Sequence, residues 1–290
     1  MRRRLDASLT FGGAIVAALA LLVLVSLFYT PYPPTRQDIA NRLAPPSGTH
    51  LLGTDHLGRD TLSRLMEGAH NSLAVAVLAV AIASVIGTAL GMVAGYFGGW
   101  GDEVVMRIVD FVMGFPVVLL AILVIAAFGP GLRNSLIAIA VATVPSFARL
   151  VRGTLLSLRE ADFVLAARAS GAGGLRILAV HLFPNLSSYL LVQVTISLGT
   201  ALLADAGLSY LGLGVQPPHA SWGRMVYEAR GFLALDAWPA IFPGIAIALA
   251  ILGFNLLGDG LRDRFDPRAA GSLRRTSRRP PPGSSRSGRG

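Results

Sequence analysis

Six mostly apolar stretches, each near the length of a bilayer-crossing helix, run through this chain: Phe11–Tyr29, Ser72–Phe97, Val104–Phe128, Asn134–Val151, Leu186–Ala206 and Pro239–Leu257. At a rise of about 1.5 Å per residue, about 20 apolar residues cover the roughly 30 Å of hydrocarbon in a membrane. Lipid supplies no hydrogen bonds, so backbone inside that slab must satisfy itself. The runs therefore predict an all-α membrane protein with six transmembrane helices. Composition agrees. Charged residues are only 14% of the chain and hydrophobic ones 53%, whereas soluble domains carry about 25% charged residues. The first run follows Arg2–Arg4, as a signal peptide would. No small-residue cleavage site comes after it; Pro31-Tyr32-Pro33-Pro34 stands there instead, which reads as an uncleaved anchor.

Arginine placement sets the expected sidedness. With the N-terminus in the cytoplasm and sides alternating, eighteen arginines fall inside, nine of them from Arg262 onward, and seven outside. This satisfies the positive-inside rule and puts both termini in the cytoplasm. The net charge of +9 then needs no nucleic acid to explain it. The expected organisation is an anchor helix and external segment over 1–71, a five-helix core bundle over 72–262 with a cytoplasmic loop at 152–184, and an Arg-rich tail over 263–290. In the external segment Asp60 is placed to N-cap a short helix over Thr61–Ala69. The tail lacks apolar periodicity and reads as disordered, with anionic lipid headgroups as its default contact.

What the chain lacks excludes several chemistries. It has no cysteine, hence no disulfide framework or thiolate metal site. It has no lysine either, since all 25 basic residues are arginine. A Walker A phosphate loop and Schiff-base catalysis both need that residue. Any ATP that powers this protein is bound by another chain. His50, His56 and His70 have no metal-ligand spacing. Ser209 suggests an intramembrane protease only superficially, because the sixth run carries no histidine base.

Within the runs, Ala83, Gly87, Gly91 and Gly95 share one helical face, the pattern of close helix packing. Gln193, Ser197 and Thr200 form an uncharged polar stripe in the fifth run. Such a stripe either bonds to neighbouring helices or lines a wet path that holds its cargo weakly. Arg107 and Asp110 are spaced to pair with each other. Asp205 is the one acid in a position to be buried, and is expected to accept a hydrogen bond at a helix end or between helices. A proton- or sodium-coupled carrier keeps an ionisable group near mid-membrane, and none is evident.

The loop at 152–184 is polar and basic between two apolar runs. Glu160 to Ser170 reads as helix, with Ala166/Ser170 and Ala167/Gly171 making a small-residue face. Gly171 and Gly173-Gly174 are placed to end that helix, and Pro184 to open the next span.

Leu165-Ala166-Ala167-Arg168-Ala169-Ser170-Gly171-Ala172, then Arg176-Ile177-Leu178, then His181-Leu182-Phe183-Pro184-Asn185 resembles the EAA loop of ABC-importer permeases, in the variant of the peptide/nickel family's C-type subunit. Three further stretches are similar to the same family: Leu52 to Asp60 (LGTDHLGRD), Ala206 to Pro218 (AGLSYLGLGVQPP) with Ser221-Trp222-Gly223, and Asn255 to Asp263 (NLLGDGLRD). The resemblance implies a type I ABC-importer permease fold, a bacterial cytoplasmic membrane and a non-catalytic role. The chain would form half of a channel with a homologous permease subunit. Two ATP-binding subunits would hold ATP and Mg below it, and an external binding protein would deliver substrate. Peptides are the expected cargo, with nickel or another small solute as the alternative. The resemblance assigns ATPase coupling to Glu160, Asp162, Leu165, Ala166, Ala167, Arg168, Gly171, His181 and Pro184. The motif's leading glutamate is Leu165 here, so docking is expected to rely on packing, with Glu160 or Asp162 supplying charge.

Overall fold

A computed structural model describes residues 2–265. The expected disordered tail lies, from residue 266 on, outside the described residues. Among the described residues the regular structure is helical, apart from one isolated β-bridge between Thr54 and Asp60. Ten α-helices follow in order: α1 Arg2–Phe28, α2 Thr61–Met92, α3 Gly99–Met113, α4 Val117–Phe128, α5 Leu132–Leu158, α6 Asp162–Ala169, α7 Gly174–Arg176, α8 Phe183–Tyr210, α9 Trp222–Ala229 and α10 Trp238–Phe265. Five helical stretches are long and apolar enough to span a membrane, and a sixth if the bent pair α3–α4 counts as one.

Three expectations are corrected. First, the short external helix and the second span are one helix. Asp60 does cap it, its Oδ2 accepting the Ser63 backbone N–H at 2.8 Å. From there the helix runs unbroken to Met92 and through a π-helical turn, Val93–Phe97. No helix-breaking residue separates Ala69 from Ser72. Asn71 instead spends its amide on the Ala220 carbonyl at 2.7 Å. These 37 residues reach about 55 Å, well beyond the hydrocarbon thickness.

Second, the third span is broken: α3 and α4 meet at 92° across Gly114-Phe115-Pro116. Pro116 has no N–H to continue the ladder, and its ring disfavours helical backbone at Phe115. The 12-residue α4 is about 18 Å long, too short to span alone. The expected Arg107–Asp110 pair does not form. Arg107 lies 4.0 Å from Glu103, and Asp110 accepts from Arg149 at 2.6 Å, which, with Asp102–Arg152, fastens α3 to the end of α5.

Third, Pro184 does not open a span. The helix is already running through α7 and the π-helical turn Ile177–Leu182 when it reaches Pro184. The widened π turn is a usual way for a helix to absorb a disrupted i→i−4 ladder.

Packing follows the small residues. The most extensive helix pair is α2 with α5. A Cβ built at Gly87 would lie 2.5 Å from Phe147 Cβ, and one at Gly91 2.6 Å from the Ala148 carbonyl, so the glycine stripe is the contact itself. α1 lies along α10 in the same way, with Gly12 against the Leu257 backbone and Gly253 against Ile15. The main core joins Ala79 and Ala83 of α2, Ile125 of α4, Ile139 and Phe147 of α5, Leu202 and Leu208 of α8, Trp222 of α9 and Phe254 of α10. A separate small core of Val151, Leu155, Val164, Ile177, Leu182 and Leu186 holds the 152–184 loop.

Candidate functional site

The 152–184 loop folds back as a hairpin of helices. The α5 helix ends at Leu158, α6 runs from Asp162, and α7 starts the return. Asp162 sits in the first turn of α6, where the helix dipole favours a carboxylate, and Arg168 in the last, where it favours a cation. The stop is a Schellman motif. The Ala172 N–H donates to the Ala167 carbonyl at 3.0 Å, the Gly171 N–H to Arg168 at 2.9 Å, and Gly171 takes φ +79°. Only glycine enters that conformation without strain.

Side-chain direction divides the sequence-predicted residues. Val164 is fully buried and Ala167 turns partly inward onto the same small core. Leu165 is 50% exposed; Ala166, Arg168 and Gly171 are exposed as well. The small-residue face expected from spacing is thus split, with Ala166 and Ser170 outward and Ala167 inward. Glu160, Leu165 and Arg168 come together with Tyr96 and Arg159 around an open cleft of about 400 Å³. Asp162 stands apart from that cleft. His181 lies in the π turn, its carbonyl taking the Asn185 amide at 2.7 Å, with Pro184 just beyond on the return arm.

On α8, the Gln193 amide donates to the Ser197 hydroxyl at 3.3 Å. Ser197 is buried, whereas Thr200 is exposed and donates to the Ile196 carbonyl of its own helix. The neighbouring face, with Thr195 and Gly199, packs against Gly258 and Asn255 of α10. Asp205 is fully buried in α8. Neither of its oxygens has a partner in good hydrogen-bond geometry, and the Ser72 hydroxyl of α2 is the donor that faces it. The interhelical donor expected for this acid is therefore in place, although outside strict hydrogen-bond geometry.

The opposite end of α2 carries a feature that sequence reasoning missed. Glu228 of α9 takes Arg59 at 2.6 Å and Arg64 at 2.9 Å on Oε2, and Arg224 at 2.9 Å on Oε1. Asp55 holds Arg59 from the other side at 2.6 Å. Burial pushes the Glu228 carboxyl up, but Arg64, Arg59 and Arg224 outweigh it and hold the group below the usual glutamate range. Burial lowers His56 beside them, Arg59 and Arg64 add to this, and Asp55 and Glu228 only partly offset it. Asp55, His56 and Glu228 stand close enough together to suggest a cation site. The same carboxylate oxygens already bind guanidinium, so arginine supplies the positive charge there. Four further bonds tie α2 to the 219–222 segment: Glu67 to His219, Trp222 Nε1 to the Leu65 carbonyl, Asn71 to Ala220 and Ser72 to the Trp222 N–H. The signal available in the sequence was the Leu52–Asp60 motif. Its acidic partner lies 169 residues beyond Arg59, and no spacing rule connects them.

A membrane bundle of this shape has the type I ABC-importer permease fold. Two inward-facing structures of the MetNI methionine ABC transporter superpose on it with TM-scores of 0.60 and 0.59, at 21% identity. They cover 70% of this chain and 97% and 96% of theirs. The chain belongs to the family of binding-protein-dependent transport system inner membrane components, whose pattern matches residues 87–271. It is 44% identical over 257 residues to the dipeptide transport system permease protein DppC of Alkalihalophilus pseudofirmus, covering 89% of this chain and 84% of that one. It is 46% identical over 264 residues to the glutathione transport system permease protein GsiD of Escherichia coli O157:H7, covering 89% and 87%. The GsiD of Pectobacterium atrosepticum is 42% identical over 261 residues, covering 88% and 87%.

Proposed function

We propose that this chain forms half of the channel of an ATP-driven importer of short peptides in a bacterial cytoplasmic membrane, beside a homologous permease subunit. The observation that carries the reading is the exposed hairpin, a rigid, Schellman-capped helix presenting Leu165, Ala166 and Arg168 outside the bundle's own core. Such a surface suits docking on an ATPase, and its own small core makes it a lever rather than a tether. When two ATPase subunits close on ATP and Mg, the hairpin moves with them and the bundle changes from one packing to another. Leu165 in place of a carboxylate makes that contact partly apolar, with Glu160 and Arg168 flanking it. Gln193, Ser197 and Thr200 line the path, uncharged so that cargo is released. Peptide cargo is favoured by the dipeptide and glutathione permeases among the relatives, with nickel or another small solute as the second reading. An external binding protein delivers the cargo. This chain performs no chemistry on ATP, since a chain without lysine cannot build the phosphate loop.

The test is uptake into proteoliposomes holding the assembled permease pair, ATPases and binding protein. Labelled di- and tripeptides should accumulate only with ATP, and the isolated chain should show no saturable ATP binding. Accumulation of nickel but not of any peptide would replace the cargo assignment.

A further inference from the structure

Beside the Glu228 cluster lies an open cleft of about 460 Å³, between the 35–59 segment and the loop that carries α9. Its size is that of a small-ligand site. The cleft is formally positive, with Arg59, Arg224 and Arg230 on its walls against Glu228 alone. Glu228 is already saturated by Arg59, Arg64 and Arg224. Arg230 has no ion pair among the described residues, and is exposed. Its guanidinium sits 4.1 Å from the centre of the Tyr227 ring, and that of Arg224 sits 4.8 Å from the same centre. One aromatic ring therefore steadies two guanidiniums on the cleft wall: Arg230 keeps its whole in-plane fork of N–H donors, and Arg224, whose Nε–H goes to Glu228, keeps its terminal nitrogens. A planar fork of donors in that state matches a carboxylate, which it grips with two parallel hydrogen bonds.

We propose that this cleft is a carboxylate-binding vestibule, in which Arg230 and Arg224, stacked on Tyr227, take the C-terminal carboxylate of a short peptide before it enters the bundle. The peptide rests on the functional reading above; the carboxylate chemistry rests on the cleft. The site lies at the Thr61 end of α2, some 50 Å along that helix from the hairpin. If the hairpin faces the ATPases, the vestibule faces the side from which cargo arrives. Gln37 and Thr35 on the facing wall offer hydrogen bonds to a peptide backbone without selecting side chains.

The test uses the full chain in lipid nanodiscs, with tri-alanine as the free acid and as its C-terminal amide as probes. Equilibrium binding is read by saturation-transfer NMR in low salt. The free acid should bind and the amide should bind roughly tenfold more weakly. Arg230→Gln should weaken the free acid by a similar factor, and Arg230→Lys should fall between, keeping charge but losing the fork. Arg230 makes no buried pair, so an unchanged melting midpoint in R230Q separates lost binding from lost folding. Equal binding of acid and amide to the wild-type chain, no binding of either, or wild-type affinity in R230Q would each overturn the proposal. If the importer moves peptides with ATP while the acid and amide bind alike, the vestibule falls and the permease reading stands. If the acid binds through Arg230 but the assembled complex moves no peptide, the vestibule stands and the cargo assignment falls.

Discussion

Glu228 shows what one residue does when three guanidiniums share it. Its carboxylate joins the start of α2 to α9 through Arg59 and Arg64, and holds Arg224 on its own helix. Removing the charge leaves Arg64, 1% exposed, with Asp55 at 3.5 Å as its remaining carboxylate, which Arg59 already shares. Leaving a buried charge with no partner costs on the order of 3 kcal/mol, and the Asp55 contact makes that an upper bound here. Glu228→Gln should therefore lower the melting midpoint of the purified chain by several degrees at pH 7. The pH dependence has a definite sign. A carboxyl held below its unfolded value, about 4.3 for glutamate, stabilises the fold above that pH. The stabilisation is lost as pH falls through the lower folded value. The gap between wild type and E228Q should be widest at neutral pH and close in acid below about pH 4; a gap that widens in acid would contradict the assignment. At this scale the sequence was legible where partners are local. Asp60 as a cap and Gly171 as a helix stop follow from neighbours three or four residues away. The Glu228 cluster and the approach of Ser72 to Asp205 depend on contacts across the bundle, which spacing along one helix does not encode.

At the scale of elements, the apolar runs located the spans but not their ends or bends. A run reports hydrocarbon-compatible composition. Where a helix continues past it, as α2 does from Thr61, depends on whether the polar residues at its end find partners. Here Glu67, Asn71 and Ser72 find theirs in the 219–222 segment. Pro116 lay within the predicted third span, and its steric effect on Phe115 splits that span into α3 and α4. The glycine stripe was read correctly as packing, and the α2–α5 contact depends on it. The polar stripe on α8 is the element-scale claim that remains to be measured. Single cysteines at positions 193, 197 and 200, in a chain that has none, should react with water-soluble thiol reagents in at least one state of the cycle. In the conformation described here, position 200 should react fastest and position 197 slowest, matching their exposure. If all three stay inert while Val194→Cys and Ile196→Cys label, the stripe faces away from the path.

For the whole molecule, α2 forms a single strut with the charged clamp at one end and the hairpin near the other. The arginine count puts the clamp on the outside and the hairpin in the cytoplasm as the expected sidedness. Reporter fusions after residues 48, 160 and 235 should read outside, inside and outside, and a cytoplasmic reading at 48 would reverse the assignment. The central claim is that the hairpin transmits force between ATPases and channel. Ala167 is the wrong place to probe it, because a large side chain there would break the hairpin's own core. Leu165 and Ala166 point outward, so Leu165→Asp and Ala166→Trp alter the contact and leave the fold. The most direct measurement is peptide transport and substrate-stimulated ATP hydrolysis by reconstituted complexes carrying either variant, at matched membrane levels. The account predicts that both variants assemble with the sister permease, that transport falls by about tenfold or more, and that stimulated hydrolysis falls with it. Wild-type transport by both variants would contradict it, because the hairpin would then be a tether that carries no force.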